Sequence, residues 1–170
     1  MVGSTSLYVD RGDPEAFVKV RKHFAEVFKV IDQHEGAVVK TIGDATMAAF
    51  SSTAAALEAA VELHRVFAPG SDIVLRISIN TGVCIAVNLN SNIDYFGNSV
   101  NFAAKLQLCA GAGDIVLSES TYATPAVSKW IREHDARFEQ RSFDFLGKAT
   151  PAWRWSTHAG TQLAASGSRG

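Results

Sequence analysis

Val38-Val39-Lys40-Thr41-Ile42-Gly43-Asp44-Ala45-Thr46-Met47-Ala48-Ala49-Phe50 reads as two short apolar or β-branched runs joined at Ile42-Gly43-Asp44. A Gly beside an Asp between two such runs predicts a β-hairpin, and it sets a carboxylate at the hairpin tip. Gly and Asp are common in tight turns of any function, so Asp44 taken alone fits plain turn chemistry as well. Two features weigh the other way. Lys40 lies inside an otherwise apolar strand, where a charge is costly unless it is paired or used. The segment 94–105 supplies matching polar chemistry.

Upstream of the hairpin the period is helical. Phe17, Val20, Phe24, Val27, Phe28 and Ile31 recur at three- and four-residue spacing, Asp13-Pro14 gives a start and Gly36 a stop, so residues 14–34 are predicted as a helix. Downstream, Ser51-Ser52-Thr53 caps a second predicted helix through Phe67, ended by Pro69-Gly70-Ser71. Residues 73–81 alternate as a strand with one face in the core, 83–89 follow as another strand, and Asn88–Asn92 is a polar turn. Asn98-Ser99 opens a third helix carrying Val100, Phe102, Ala103, Ala104, Leu106 and Leu108, which the glycines of 109–113 end. A short strand at 115–117, a capped turn at 118–122, a helix at 123–133 and a strand pair at 138–145 and 152–155, joined by a loop at 146–151, complete the chain. Hairpins mixed with helical crossovers predict an α+β sandwich, helices packed on a mainly antiparallel sheet. The domain is expected over residues 1–156, its first strand beginning abruptly at Met1-Val2, and the Ala-, Gly- and Ser-rich tail 157–170 is expected to be disordered.

At 170 residues the chain is long enough for one substantial core, and 47% hydrophobic with 19% charged residues is ordinary globular composition. A net charge of −1 gives no reason to expect nucleic acid or anionic membrane as a partner. No run approaches the about 18 apolar residues of a membrane span, and no secretory signal opens the chain. Cys84 and Cys109 sit in apolar contexts and read as reduced core residues, compatible with a cytoplasmic location. The five histidines show no metal-ligand spacing and are expected at the surface, and Trp130, Trp153 and Trp155 read as core or dimer contacts.

Asn101 and Lys105 are four apart in the third helix and project from the same face, beside its apolar stripe. Asp94-Tyr95-Phe96-Gly97 sets a carboxylate among aromatics before a flexible corner. A solvated helix edge for the first pair, and a turn or cap for Asp94, are the plain alternatives. As a set, a metal-type carboxylate, a strand lysine, a second acid and an amide–ammonium pair suit nucleotide chemistry.

Residues 39–48, Arg76-Ile77-Ser78-Ile79-Asn80-Thr81-Gly82 and residues 94–106 together resemble the class III adenylate/guanylate cyclase catalytic domain. Val2-Gly3-Ser4-Thr5 and Gly113-Asp114-Ile115-Val116-Leu117-Ser118 are similar to two further segments of that domain, in the right order. The resemblance implies a ferredoxin-like core, a head-to-tail homodimer with composite sites, and conversion of ATP to 3′,5′-cyclic AMP and pyrophosphate with two Mg²⁺ or Mn²⁺ ions. It implies that Asp44 is a metal ligand, that Lys40 and Asp94 read the purine, that Asn101 orients the ribose, and that Lys105 stabilises charge on the phosphate. A Lys/Asp pair suits adenine, whose ring acceptor meets the ammonium and whose amino group meets the carboxylate.

The pattern departs from the family in three places. The first metal aspartate would stand immediately before Met1, so this chain is expected to be weak or inactive by itself, with regulatory domains in a longer parent chain. Lys105 replaces an arginine, keeping the charge and losing the bidentate fork. Leu146-Gly147 stands where a lysine usually precedes the glycine, and Lys148 follows as a substitute for reaching the triphosphate. These departures keep a second reading open, a catalytically lapsed module that binds nucleotide or dimerises; guanylate cyclase is a lesser alternative.

Overall fold

The computed structural model describes residues 13–68, 71, 73–89 and 92–157. The expected first strand at Met1-Val2 and the tail beyond residue 157 lie outside the described residues. Helix α1 (Asp13–Gln33) turns its apolar stripe inward, burying Val27, Val30 and Ile31 against Ala59 and Leu63 of α2 (Thr53–Val66). Ser52 caps α2, its hydroxyl accepting from the Ala55 N–H at 3.3 Å. Between the helices, β1 (Ala37–Ile42) and β2 (Ala45–Ala49) form the predicted antiparallel hairpin, turning through Gly43 at φ 60° and Asp44. Gly36 leads into β1 under the Phe50 ring, where a Cβ would clash with a ring carbon.

The main sheet has the order β3-β6-β8-β7, built from β3 (Ile77–Ile79), β6 (Asp114–Ser118), β8 (Lys148–Ser156) and β7 (Glu139–Phe145). β3 runs parallel to β6 and the other neighbours are antiparallel. A second antiparallel ribbon, β4 (Ile85–Leu89) with β5 (Asn92–Phe96), follows β3, and α3 (Asn98–Leu106) returns the chain to β6. β6 is buried on both faces. Ile115 and Leu117 pack under Leu57 and Ala60 of α2 and under Val127 and Trp130 of α5 (Pro125–Glu133), while Val116 faces Leu106 of α3 together with Phe143 and Ala152. Each such side chain contributes about 1.5–3 kcal/mol of transfer free energy. A short helix α4 (Glu119–Tyr122), capped by Ser118, lies between β6 and α5.

Several expected boundaries move. The strand read over residues 73–81 is regular only at Ile77–Ile79; before it Val74 forms an isolated bridge and the Leu75 carbonyl accepts from the Gly113 N–H at 2.8 Å, and Ile73 and Leu75 stay buried as the alternation requires. The strand read from Val83 begins at Ile85. The loop expected over 146–151 shrinks to Leu146 and Gly147, both at positive φ (55° and 76°), so Phe145 pairs directly with Lys148. Cys84 is exposed and Cys109 half-buried, so the core reading fails for Cys84, which precedes the outlying β4–β5 ribbon. His23 of α1 and His64 of α2 are buried rather than at the surface. Trp130 is a core residue, and Trp153 and Trp155 pack against the same cluster.

Candidate active site

The β1–β2 ladder is irregular at one point: Val38 pairs with Ala48 and Lys40 with Met47, leaving Val39 as an extra residue. In a regular strand Lys40 would share the side of Val38, which packs on the α1–α2 core. The bulge breaks that period. Lys40 instead meets Asp94 of β5, its ammonium donating to Oδ1 at 2.8 Å and to Oδ2 at 2.7 Å.

Asp94 is therefore neither a turn nor a cap residue. It stands mid-strand in β5, paired with Val87 across the ribbon, and the Tyr95 N–H donates to its Oδ1 at 2.8 Å. The hydrogen bonds from Lys40 hold its carboxyl below the usual carboxylate range, with a smaller contribution from the Tyr95 N–H, against partial desolvation. The Lys40 nitrogen also lies 5.6 Å from the centroid of the Phe96 ring.

Three residues beyond Asp94, Gly97 at φ 131° swings the chain into α3. Two bonds fasten the start of this helix to the connection between β3 and β4: Asn80 Nδ2 donates to the Ser99 carbonyl at 2.9 Å and the Ser99 hydroxyl to the Val83 carbonyl at 2.7 Å. A third comes from the Ser78 hydroxyl to the Ala103 carbonyl at 2.8 Å. Phe102 and Leu106 supply the buried stripe, and Asn101 and Lys105, one residue before each, are exposed as the spacing predicts. Under the same helix Phe102 meets Phe145 edge-on at 4.8 Å, which seats the β7–β8 hairpin beside α3. Lys148, the first residue of β8, is exposed at the end of that hairpin. Asp44 occupies the β1–β2 turn, half-buried.

The structure thus joins Lys40 to Asp94 directly and places Asn101, Lys105 and Lys148 on packed neighbouring elements without bringing them into that pair. Reading the sequence missed two features. The Val39 bulge left no signal in residue types, whereas Phe96 could have been found from its two-residue spacing to Asp94 once β5 was recognised as a strand.

The family model for the adenylate and guanylate cyclase catalytic domain matches residues 1–143. The chain belongs to this family. An uncharacterised protein of Mycobacterium tuberculosis is 39% identical over 92 residues, 54% of this chain and 24% of that relative's length. Among solved structures, the adenylyl cyclase CyaB from P. aeruginosa aligns with a TM-score of 0.71 at 19% identity, covering 91% of this chain and 88% of that one. The guanylyl cyclase Cya2 aligns at 0.67 with 21% identity, covering 91% and 86%. The cyclase domain therefore has the class III α+β fold, shared by enzymes named for either purine.

Mg²⁺ and Mn²⁺ favour several oxygen ligands. Among the described residues of this cyclase domain, no group of three or more His, Cys, Asp or Glu side chains could hold a metal ion. Asp44 supplies one carboxylate, so the described residues do not fit a complete divalent-cation site. No described helix is long and apolar enough to cross a membrane.

Proposed function

We propose that this cyclase domain acts on ATP, forming 3′,5′-cyclic AMP and pyrophosphate at the interface of a homodimer. The Lys40–Asp94 pair carries the reading. Its ammonium suits the ring-nitrogen acceptor of adenine and its carboxylate suits the exocyclic amino group, and burying both ends against a base rejects an analogue that leaves either unpaired. In the reaction the ribose 3′-oxygen bonds to the α-phosphorus as the bond to the pyrophosphate oxygen breaks. Asn101 is assigned to orient the ribose, and Lys105 and Lys148 to meet the negative charge that develops on the phosphates. Asp44 is the one described donor assigned to a Mg²⁺ or Mn²⁺ ion. The exposure of Asn101 and Lys105, together with the exposed apolar side chains of Ile42, Val83, Ile85 and Ile93, supports a second copy closing the site.

The test is cyclic AMP formation from ATP with Mn²⁺ by the purified chain, beside Asp44→Ala and Lys40→Ala. Product that disappears in Asp44→Ala, and loses its preference for ATP over GTP in Lys40→Ala, supports the assignment; product unaffected by Asp44→Ala removes the metal role. The lysine at position 105 favours one second reading, a module that binds nucleotide without turning it over. Tight ATP binding with no cyclic product from either nucleotide is its signature.

A further inference from the structure

The Lys40 ammonium is held on two sides. Asp94 accepts from it through both oxygens, and the Phe96 ring lies on another side, 5.6 Å from nitrogen to centroid. Phe96 is two residues past Asp94 in β5, so the strand's period puts both side chains on one face of the ribbon, and Ile85 of β4 is its cross-strand partner. Core packing does not account for this ring, which is 43% exposed.

An ammonium has three N–H groups, and Asp94 takes two. A flexible four-carbon stem fixed only at a carboxylate can still swing around it. An aromatic face attracts the charge through its quadrupole without accepting any particular N–H. A second hydrogen-bonding residue in its place would consume the remaining donor.

We infer that Phe96 is a positioning residue for purine recognition: its ring holds the Lys40 ammonium beside Asp94 and leaves the third N–H for a ring-nitrogen acceptor of the base. This rests on the reading of Lys40 and Asp94 as the base readers. Phe96 acts through Lys40, so it governs nucleotide affinity and choice rather than the rate of the chemical step.

The experiment is equilibrium binding of α,β-methylene ATP and the matching GTP analogue, with Mn²⁺, by the full chain and by Phe96→Leu, Phe96→Trp and Lys40→Met. Phe96→Leu keeps apolar bulk and removes the π face, and is expected to weaken ATP-analogue binding by about 2- to 5-fold, the size of an exposed cation–π contact, with the GTP analogue unchanged. Phe96→Trp restores the wild-type ratio. An unchanged ratio in Phe96→Leu, or a Phe96→Trp chain that behaves like Phe96→Leu, overturns the inference while Lys40→Met still collapses the preference. A preference that survives Lys40→Met instead removes the base-reading assignment on which the inference stands. A readout free of nucleotide and of variant folding is the ε-methylene proton shift of Lys40 in the wild-type chain, displaced by the ring current of Phe96 if the contact holds and ordinary if it does not.

Discussion

Lys40 and Asp94, 54 residues apart in sequence, share two hydrogen bonds at 2.8 and 2.7 Å, yet their side chains remain 38% and 21% exposed. Water screening at that exposure keeps the pair's contribution to folding small. Lys40→Ala and Asp94→Ala are therefore expected to shift the urea midpoint little while weakening ATP binding on the order of tenfold, the usual worth of a charged hydrogen bond to a ligand. A large loss of stability in either variant would mark the pair as structural.

The bulge at Val39 is the device that aims Lys40. Inserting one residue between Met47 and Ala48 gives Val39 a ladder partner, restores the two-residue period and turns Lys40 toward the side of Val38 and the α1–α2 core. The lengthened chain is expected to lose ATP-over-GTP preference, and adding Lys40→Ala to it should change binding no further. A double variant still weaker than the insertion alone would show that Lys40 had kept its place.

Gly97 holds φ 131° and ψ 176°, a region that side-chain-bearing residues rarely enter, although a Cβ there would meet only Cys84 Cα at 3.9 Å. Gly97→Ala is thus a test of backbone strain without a clash. It should cost roughly 1–3 kcal/mol in denaturant unfolding. Because Gly97 joins the strand of Asp94 to the helix of Asn101, the surviving folded protein should also bind ATP more weakly.

Leu146 is 78% exposed and sits at φ 55° in the two-residue turn of β7–β8. Asn tolerates that conformation and Leu does not, so Leu146→Asn is expected to raise stability by about 0.5–1 kcal/mol, read as a higher melting temperature. No change on substitution would show that the turn relaxes around leucine without strain.

His23 is 4% exposed, its ring is 4.9 Å from that of Phe67, and its Nδ1 has no hydrogen-bond partner. Burial, the largest cause, lowers its pKa from 6.5 to about 4, opposed by the negative charge of Asp44. The unfolded chain therefore takes up the proton first as pH falls. Stability is complete above pH 6.5 and declines between 6.5 and about 4, by on the order of 3 kcal/mol from this group. Denaturant unfolding at pH 7 and pH 4.5 measures it, and His23→Leu should flatten the slope in that window.

Much of this architecture was legible in residue order. The helical period from Phe17 to Ile31, the Gly43-Asp44 turn and the alternation that buries Ile73 and Leu75 are local consequences of which side chains must leave water. The ribbon strand β5 was not legible, because Asn92-Ile93-Asp94-Tyr95-Phe96 mixes polar and aromatic residues and becomes a strand only by pairing with β4. His23 and His64 were misplaced for a related reason: a histidine on a helix reads as a surface residue until the packing of a neighbouring helix closes over it.

The sequence by itself determined the order of the elements other than β5, the family, and the residue types available for nucleotide chemistry, since these depend on local period and on side-chain chemistry. Only the tertiary structure decided that Lys40 faces Asp94 rather than the core, that Phe96 stands beside them, and that α3 and the β7–β8 hairpin share a packed underside. Those facts depend on one unpaired residue in a ladder and on contacts between segments dozens of residues apart, which no local pattern encodes.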